Sequence, residues 1–158
     1  NFIVFENKKV FPRVFFAGRF ILRTDKQESI KEIHNRNIDL TSTVIVQQNL
    51  PVSESKNSGT ARILSYSANK VGIETQTDVS KILVLSDAFY PGWKAKVNNQ
   101  EAEVFRVDHA LRGVLVPRGK NTVVFTYEPI SFQAGVVISA LSISFGGFLY
   151  FRNKKHVA

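Results

Sequence analysis

The residues best suited to chemistry in this sequence are two aromatic side chains on either side of a turn. The segment from Ser86 to Trp93 reads Ser-Asp-Ala-Phe-Tyr-Pro-Gly-Trp and holds the only tryptophan of the chain. Flat aromatic faces stack on sugar rings, and Tyr and Trp also carry a polar group that can form a hydrogen bond. An exposed pair of Tyr90 and Trp93 would therefore bind a glycan. The alternative is structural: Pro91 and Gly92 make the turn, and the two rings cover the end of a core.

Three further side chains in the following segment could assist such a site. Arg106, His109 and Arg112 lie within seven residues of one another. Charged nitrogen donors make strong hydrogen bonds to phosphate and carboxylate groups, so these residues would add donors for a phosphate or an acidic sugar. Ordinary edge-strand charge is the alternative explanation, and the sequence leaves both open. The predicted glycan-binding residues are thus Tyr90, Trp93, Arg106, His109 and Arg112.

No motif in the sequence predicts catalysis, a cofactor or a metal site. Cysteine is absent, which excludes disulfides, thiolate metal sites and a cysteine nucleophile. The histidines at 34, 109 and 156 are isolated, and none has a second ligand at a spacing typical of metal sites. Glycine-rich phosphate loops, dinucleotide fingerprints and serine-hydrolase motifs are also missing. Glu101 and Glu103 flank a turn, and we expect them to be solvated.

The charge of the chain is compatible with several polyanionic partners. Lys and Arg number 21 against 13 Asp and Glu, for a net charge of +8. Such a balance admits nucleic acid, an anionic membrane surface or a cell-wall polyanion. The basic residues are spread along the chain and not clustered, which argues against nucleic acid. We therefore predict no nucleic-acid partner.

The candidate residues lie within a series of strand-like segments. Asp25 can cap a short helix, with Glu28 three residues later, and this helix should end by Asn35–Asn37. Eight segments at about ten-residue spacing carry alternating or continuous apolar residues, which is typical of a sandwich or barrel. They are 44–46, 61–66, 71–75, 82–85, 93–97, 104–107, 111–116 and 122–127. The pattern predicts a mainly β, jelly-roll-like sandwich of about eight strands over residues 1–130, with one short helix.

The C-terminal segment has the composition of a membrane-spanning helix. The 23 residues from Pro129 to Phe151 carry no charge, and basic residues follow at Arg152–His156. As a helix this segment is roughly 35 Å long, enough to cross a hydrocarbon layer of ~30 Å. A buried helix of a soluble domain is the alternative. Small residues four apart, such as Gly135 and Ser139, would allow packing on other membrane helices.

These features predict three regions and an orientation. Residues 1–130 form the sandwich, 131–151 the transmembrane helix and 152–158 a basic cytoplasmic tail. The positive-inside bias then places the sandwich on the outer face of a cytoplasmic membrane. The sequence contains no methionine and no N-terminal secretory signal, so we expect a piece of a longer protein.

Several motifs, in order along the chain, resemble the C-terminal region of the YfhO-type bacterial membrane proteins. The most specific is the Leu-Ser-Asp, Tyr-Pro-Gly-Trp-Lys-Ala pattern of a strand, a turn and a second strand. Asn98-Asn99 departs from the Asp-Gly that the family often has, but either pair can form the tight turn. The similar segments are Phe5–Asn7, Phe11–Val14, Leu83–Ala95, Phe105–Val114, Val116–Val123, Tyr127–Pro129 and the closing positions Phe132, Gly135 and Ser139.

The resemblance implies a bacterial membrane protein with several membrane helices that is similar to C-type glycosyltransferases. Such enzymes use a polyprenyl-phosphate sugar and decorate cell-envelope polymers such as lipoteichoic acid. Their catalytic acids are expected in outer loops between N-terminal membrane helices, which this sequence does not include. No catalytic residue is therefore assigned, and we expect no turnover from this chain alone.

The expected role is that of an accessory domain that covers or binds the acceptor glycan. Its partners would be upstream membrane helices of the same protein, the membrane, and an envelope glycan or a polyprenyl-phosphate sugar. The alternative is a structural or interaction module of a membrane assembly without glycan binding. A stand-alone anchored surface protein is a third possibility, which the missing initiator disfavours. An exposed Trp93 beside a groove would favour glycan binding, and a buried Trp93 the structural role.

Overall fold

The computed structural model describes residues 3, 10–35, 37–52, 55 and 59–154. The chain divides into two compact units, Asn1–Tyr127 and Glu128–Ala158. The described part of the first unit holds eleven strands and one short helix, and the second unit contains one long helix. The predicted mainly β fold with a short helix and a C-terminal apolar helix is thereby confirmed. The Phe5–Asn7 motif and the predicted tail beyond residue 154 lie outside the described residues.

The elements follow the predicted order, with three additional strands. These three, β1, β2 and β8, have only three or four residues each, and each lies at the edge of a sheet. The bounds are β1 (Val14–Phe16), β2 (Arg19–Leu22), α1 (Lys26–Ile33), β3 (Thr43–Val46), β4 (Thr60–Ser67), β5 (Lys70–Thr77), β6 (Lys81–Ala88), β7 (Trp93–Val97), β8 (Gln100–Ala102), β9 (Phe105–Val107), β10 (Leu111–Val116), β11 (Gly119–Tyr127) and α2 (Ile130–Lys154).

Two sheets form the sandwich. One has the strand order β1-β6-β10-β9-β3-β2 and the other β4-β5-β11-β7-β8. Neighbouring strands are antiparallel, except that β2 and β3 are parallel. The core between the sheets is apolar and includes Leu83, Leu85, Val114, Ile73 and Phe125.

The six-stranded sheet is buried on both faces. Its other face carries a second apolar cluster that includes Val44, Val46, Ile82, Val84 and Val107. Because both faces of β6 are covered, its sequence is continuously apolar from 82 to 85 and does not alternate. Within the sheet, β6 lies between its neighbours β1 and β10.

Local signals define the short helix and the tight turns. Asp25 is the N-cap of α1, and its side chain accepts hydrogen bonds from the backbone N–H groups of Gln27 and Glu28. Asn98 and Asn99 have φ values of 51° and 67° and form the predicted turn between β7 and β8. A second turn of this kind, which the sequence did not indicate, joins β9 to β10 at residues 108 and 109.

The second unit is the apolar helix α2. Among the described residues it is the one helix long and apolar enough to cross a membrane, over Ile130–Phe148. None of that stretch is buried within the chain, which disfavours the alternative of a soluble core helix. The hydroxyls of Ser142 and Ser144 donate to the carbonyl oxygens of Ile138 and Ala140 one turn earlier. These hydroxyls are thus satisfied within the helix, as an apolar environment requires.

Candidate functional site

The site begins with an irregularity at the end of β6. The pairing of β10 with β6 shifts between Leu111, which is opposite Ala88, and Arg112, which is opposite Leu85. Ser86 and Asp87 of β6 therefore have no partner residue in the register of β10. The Ser86 backbone N–H donates to the Arg13 carbonyl oxygen at 2.9 Å, and its hydroxyl donates to that of Pro12 at 2.8 Å. Bulges of this kind redirect side chains and are common beside functional sites. Here the irregularity fixes the end of β6 against the segment that precedes β1.

The Asp87 carboxylate is contacted by donors from three other parts of the sandwich. Arg13 Nη1 donates to Oδ1 at 2.8 Å, and the Tyr66 hydroxyl donates to Oδ2 at 3.0 Å. Arg112 Nη2 lies 2.9 Å from Oδ2 in an ion pair. Tyr66 is on the five-stranded sheet, and Arg112 and Asp87 are on the six-stranded sheet, so the carboxylate links the two. The hydrogen bond to the Asp87 carboxylate raises the pKa of Tyr66, which keeps the phenol protonated.

Arg112 is a buried cation between the sheets. Its side chain is only 4% exposed, and its Cζ lies 3.7 Å from the centroid of the Trp93 ring and 5.8 Å from that of Phe125. Burial lowers the pKa of the guanidinium, an effect that the Asp87 charge opposes. Within the described part of the chain, its Nε and Nη1 atoms are buried and have no hydrogen-bond partner. Such atoms are rare in folded proteins and require an explanation.

Aromatic rings surround the Asp87–Arg112 pair. Trp93 contacts Tyr127 at a centroid distance of 5.2 Å, and Tyr127 contacts Tyr90 at 6.4 Å. Tyr90 is 63% exposed and Tyr66 53%, whereas Trp93 is partly buried. Together these side chains border an open cavity of about 470 Å³. Its lining consists of Tyr66, Ser67, Ala68, Val71, Asp87, Ala88, Tyr90, Trp93, Arg112 and Tyr127.

Tyrosine and tryptophan side chains are concentrated in the lining of this cavity. Every tyrosine that precedes α2, together with the only tryptophan of the chain, lines it. These residues come from β4, β7, β11 and the turn before β7, so no local sequence pattern joins them. The concentration of Tyr and Trp around one ion pair identifies this cavity as the candidate functional site.

The structure brings together three of the five predicted residues. Tyr90, Trp93 and Arg112 line the cavity, and Arg106 and His109 do not. Arg106 is paired with Arg112 across β9 and β10, and its guanidinium lies 5.0 Å from the Phe89 ring centroid. Edge-strand charge does not account for Arg112, because β10 is paired on both sides by β6 and β9.

Four contributors were missed by reasoning from the sequence. Tyr66, Tyr127 and Asp87 line the cavity, and Arg13 holds the second oxygen of Asp87. Arg13 and Asp87 stand in two of the segments that resemble the family, Phe11–Val14 and Leu83–Ala95, which the structure shows in contact. That pairing of motifs was the signal available. Tyr66 carried a weaker one, as an aromatic residue in a strand that is otherwise polar at its end.

Trp93 is neither fully exposed, as glycan binding would favour, nor fully buried, as the structural role would favour. It is half-buried and packs against the core, with one face covered by Arg112 and Tyr127 beside it. The ring that is most open to a ligand is therefore Tyr90, and Trp93 forms part of the support behind it.

Two other cavities lie on the α1 side of the sandwich and are less suited to a ligand. One, of about 750 Å³, lies between α1 and residues 22–24, and the other, of about 700 Å³, runs beside β2. Charged side chains in the first pair with each other, as Arg23 Nη2 does with Glu32 Oε2 at 2.7 Å. In the described ranges of the chain, no group of three His, Asp or Glu side chains is placed to hold a metal ion.

The turn between β9 and β10 contains a second buried carboxylate. Asp108 accepts a hydrogen bond from the Ile45 backbone N–H at 2.7 Å, and its own N–H donates to the Ile45 carbonyl oxygen at 2.9 Å. Burial raises its pKa to about 6, against the opposing effect of the Ile45 hydrogen bond. Asp108 and His109 both have positive φ values, 47° and 64°, and the His109 Nδ1 is buried without a partner among the described residues. The turn thus attaches the β9–β10 hairpin to β3.

Comparison with known proteins yields one match. A family model described as bacterial membrane protein YfhO matches residues 23–139. The matched range contains every residue that lines the aromatic cavity, and it extends into α2. No curated protein and no solved structure gives a significant match.

Proposed function

Because the chain belongs to the family of the bacterial membrane protein YfhO, we propose that its sandwich is a glycan-binding accessory domain of a membrane protein. The observation that carries this proposal is the lining of one cavity. All three tyrosines of the sandwich and the only tryptophan of the chain surround it. The family and the apolar helix α2 together establish the membrane setting.

The chemistry of the cavity suits a sugar. The apolar face of a pyranose packs on an aromatic ring, and the exposed Tyr90 offers such a ring. Sugar hydroxyls need both donors and acceptors, which tyrosine hydroxyls and the Asp87 carboxylate can supply. The rings also support one another in the order Tyr90, Tyr127, Trp93, Arg112. Side chains held in place before binding lose less conformational freedom when the ligand arrives.

In this proposal the sandwich assists a reaction that takes place elsewhere in the protein. The membrane part would transfer a sugar from a polyprenyl-phosphate carrier to a cell-envelope polymer, and the sandwich would bind or cover the acceptor. α2 would be one of the membrane helices, with the sandwich on the outer face and the basic segment that follows α2 in the cytoplasm. Upstream helices would pack on α2, whose small residues permit close approach. The sandwich itself contributes no catalytic residue.

One observation favours a second candidate function, a purely structural module. The Asp87 cluster ties both sheets together, and Arg112 already covers one face of Trp93. On that account the aromatic residues stabilise the end of the sandwich, and the cavity takes no ligand.

Titration of glycans against Trp93 fluorescence separates the two functions. The full chain in neutral detergent micelles would be titrated with teichoic-acid and membrane-derived glycan fragments. Because Trp93 is the only tryptophan, any change in emission reports on the cavity. We expect a saturable change that is lost in Tyr90→Ala. It should persist in Leu64→Ala, a matched control on an exposed apolar side chain outside the cavity.

The structural module predicts a different result. No glycan would change the emission, and that emission would be blue-shifted and protected from soluble quenchers. Equal loss of binding in Tyr90→Ala and Leu64→Ala would likewise count against a site in this cavity.

A further inference from the structure

We infer that the cavity selects ligands that carry an oxyanion, a phosphate or a carboxylate, and that Arg112 recognises it. The inference rests on the proposed glycan-binding function and adds the chemical class of the ligand. Its starting point is the incomplete hydrogen bonding of Arg112. Nη2 faces Asp87, while Nε and Nη1 are buried without a partner in the described part of the chain. A guanidinium presents five N–H donors, and leaving buried donors unsatisfied costs free energy.

The charge around Arg112 points to an anion as the missing partner. Among the described residues that line the cavity, Asp87 is the only acidic one, and its carboxylate is shared between Arg112 and Arg13. Two guanidinium groups thus face one carboxylate, which leaves an excess of one positive charge. The Arg13 side chain is mostly exposed and screened by water, whereas Arg112 is buried. The uncompensated charge is therefore felt most strongly at Arg112, where the surroundings are less polarisable.

The two unsatisfied donors of Arg112 favour a charged acceptor. In the planar guanidinium Nη1 lies on the side of Cδ and the Nε–H points to the other side, so each nitrogen can donate one separate hydrogen bond. Hydrogen bonds from a guanidinium to the charged oxygens of a phosphate or carboxylate group are roughly twice as strong as neutral ones. A neutral sugar hydroxyl offers a single oxygen and no charge. Both nitrogens are buried, and the half-exposed Trp93 lies over the guanidinium face. An oxyanion bound to Arg112 would offset the charge of the cation that lies over the Trp93 ring, so its binding should change Trp93 emission.

Arg106 provides a matched control for this inference. It is paired with Arg112 across β9 and β10 and carries the same charge. Its guanidinium lies over Phe89, and it does not line the cavity. A general attraction of anions to a basic protein would depend equally on both residues, whereas recognition in the cavity depends on Arg112 alone.

The test uses the full chain in neutral detergent micelles at constant ionic strength set with chloride. Inorganic phosphate, glucuronate and glucose are titrated separately against Trp93 emission. We expect saturable responses to phosphate or glucuronate, with glucuronate at least about tenfold tighter than glucose because of the added charge-assisted hydrogen bonds. The more effective of phosphate and glucuronate identifies the source of the oxyanion. Arg112→Lys should weaken the response at least about tenfold, because lysine has no N–H donors at the positions of Nε and Nη1, and Arg106→Lys should not.

A measurement on the unaltered chain guards against a variant that does not fold. The side-chain Nε–Hε signal of Arg112 in a nitrogen-15 NMR spectrum should shift on addition of phosphate or glucuronate, with the same saturation curve as the fluorescence. An unmoved signal, or no fluorescence response to either anion, overturns the inference. So does equal binding of glucose and glucuronate, or equal weakening in the two lysine variants. The last two outcomes leave glycan binding intact, and the Tyr90→Ala titration decides that proposal separately.

Discussion

The guanidinium of Arg112 lies over the indole ring of Trp93, with Cζ 3.7 Å from the ring centroid. The two residues belong to different sheets, Arg112 to β10 and Trp93 to β7. A cation on an aromatic face, removed from water, contributes about 2 kcal/mol. At this end the layer between the sheets changes from aliphatic side chains to a cation, a carboxylate and aromatic rings. The stability of the sandwich and its ligand chemistry therefore depend on the same contacts.

Replacement of Asp87 should destabilise the sandwich strongly. Asp87→Asn removes the charge that faces the buried Arg112, and breaking a buried ion pair by removing one partner costs about 3 kcal/mol or more. Urea unfolding followed by circular dichroism measures the loss. Glu74→Gln is the control, because it breaks the solvent-exposed pair with Lys120 and should leave the free energy of unfolding nearly unchanged. Similar small losses in both variants would mean that water reaches Arg112.

Substitutions of Tyr90 and Trp93 should have different effects on glycan binding and on the free energy of unfolding. Trp93→Ala removes a ring that packs on the core and on Arg112, so we expect it to lower the free energy of unfolding by about 3 kcal/mol. Tyr90 is mostly exposed, and Tyr90→Ala should cost about 1 kcal/mol or less while abolishing glycan binding. Thermal or urea unfolding of both variants checks this difference. A large loss of stability in Tyr90→Ala would indicate that the ring is structural.

The pH dependence of stability should carry the signature of Asp108. Its pKa is raised to about 6 in the folded state, so between about pH 4 and pH 6 the unfolded chain has lost a proton that the folded chain retains. The free energy of unfolding contributed by this group is therefore greatest below pH 4 and decreases as pH rises through 6. A shift of two pKa units corresponds to about 3 kcal/mol at most.

Comparison with Asp108→Asn isolates this contribution. Asparagine still accepts the Ile45 hydrogen bond and tolerates a positive φ, but it does not titrate. Other acids have lowered pKa values, such as Asp39 and Glu74, and their contribution to the free energy of unfolding increases with pH. That contribution is the same in Asp108→Asn and in the unaltered chain, so it cancels in the comparison. We expect the difference between variant and unaltered chain in urea midpoint to grow in favour of the variant from pH 4 to pH 7. A constant difference would show that Asp108 ionises normally.

Gly113 should not tolerate a larger residue. A Cβ at this position would clash with Val107 Cγ2 and would lie 2.7 Å from Phe105 Cε2, both on the neighbouring β9. Gly113→Ala should therefore lower the free energy of unfolding by about 1–3 kcal/mol through overpacking. Gly135→Ala in α2 is the control, since nothing lies within 4 Å of a Cβ there. An unchanged urea midpoint for Gly113→Ala would mean that β9 can move away from β10.

The parts of the fold that the sequence predicted are those with a local physical signal. Period-two alternation and turn residues located the longer strands, and Asp25 marked the start of α1. Strands β1, β2 and β8 were missed, and each of them pairs on one side only. β1 and β2 pair with β6 and β3, from which other elements separate them in the sequence. β8 has the sequence Gln-Glu-Ala, which shows no apolar pattern of a strand.

The same distinction applies to the site. Tyr90 and Trp93 were predicted because they flank a recognisable turn, and the C-terminal helix because 23 residues in a row carry no charge. Sequence alone thus determined the element types, the apolar helix and the aromatic turn. Only the tertiary structure decided that Asp87 meets Arg13 and Tyr66, which are 74 and 21 residues away, and that Arg112 is buried between the sheets while Arg106 is not. The physical reason is that strand alternation assigns a side chain to a face, whereas strand order and register assign its neighbours. Order and register depend on pairings between segments far apart in the chain.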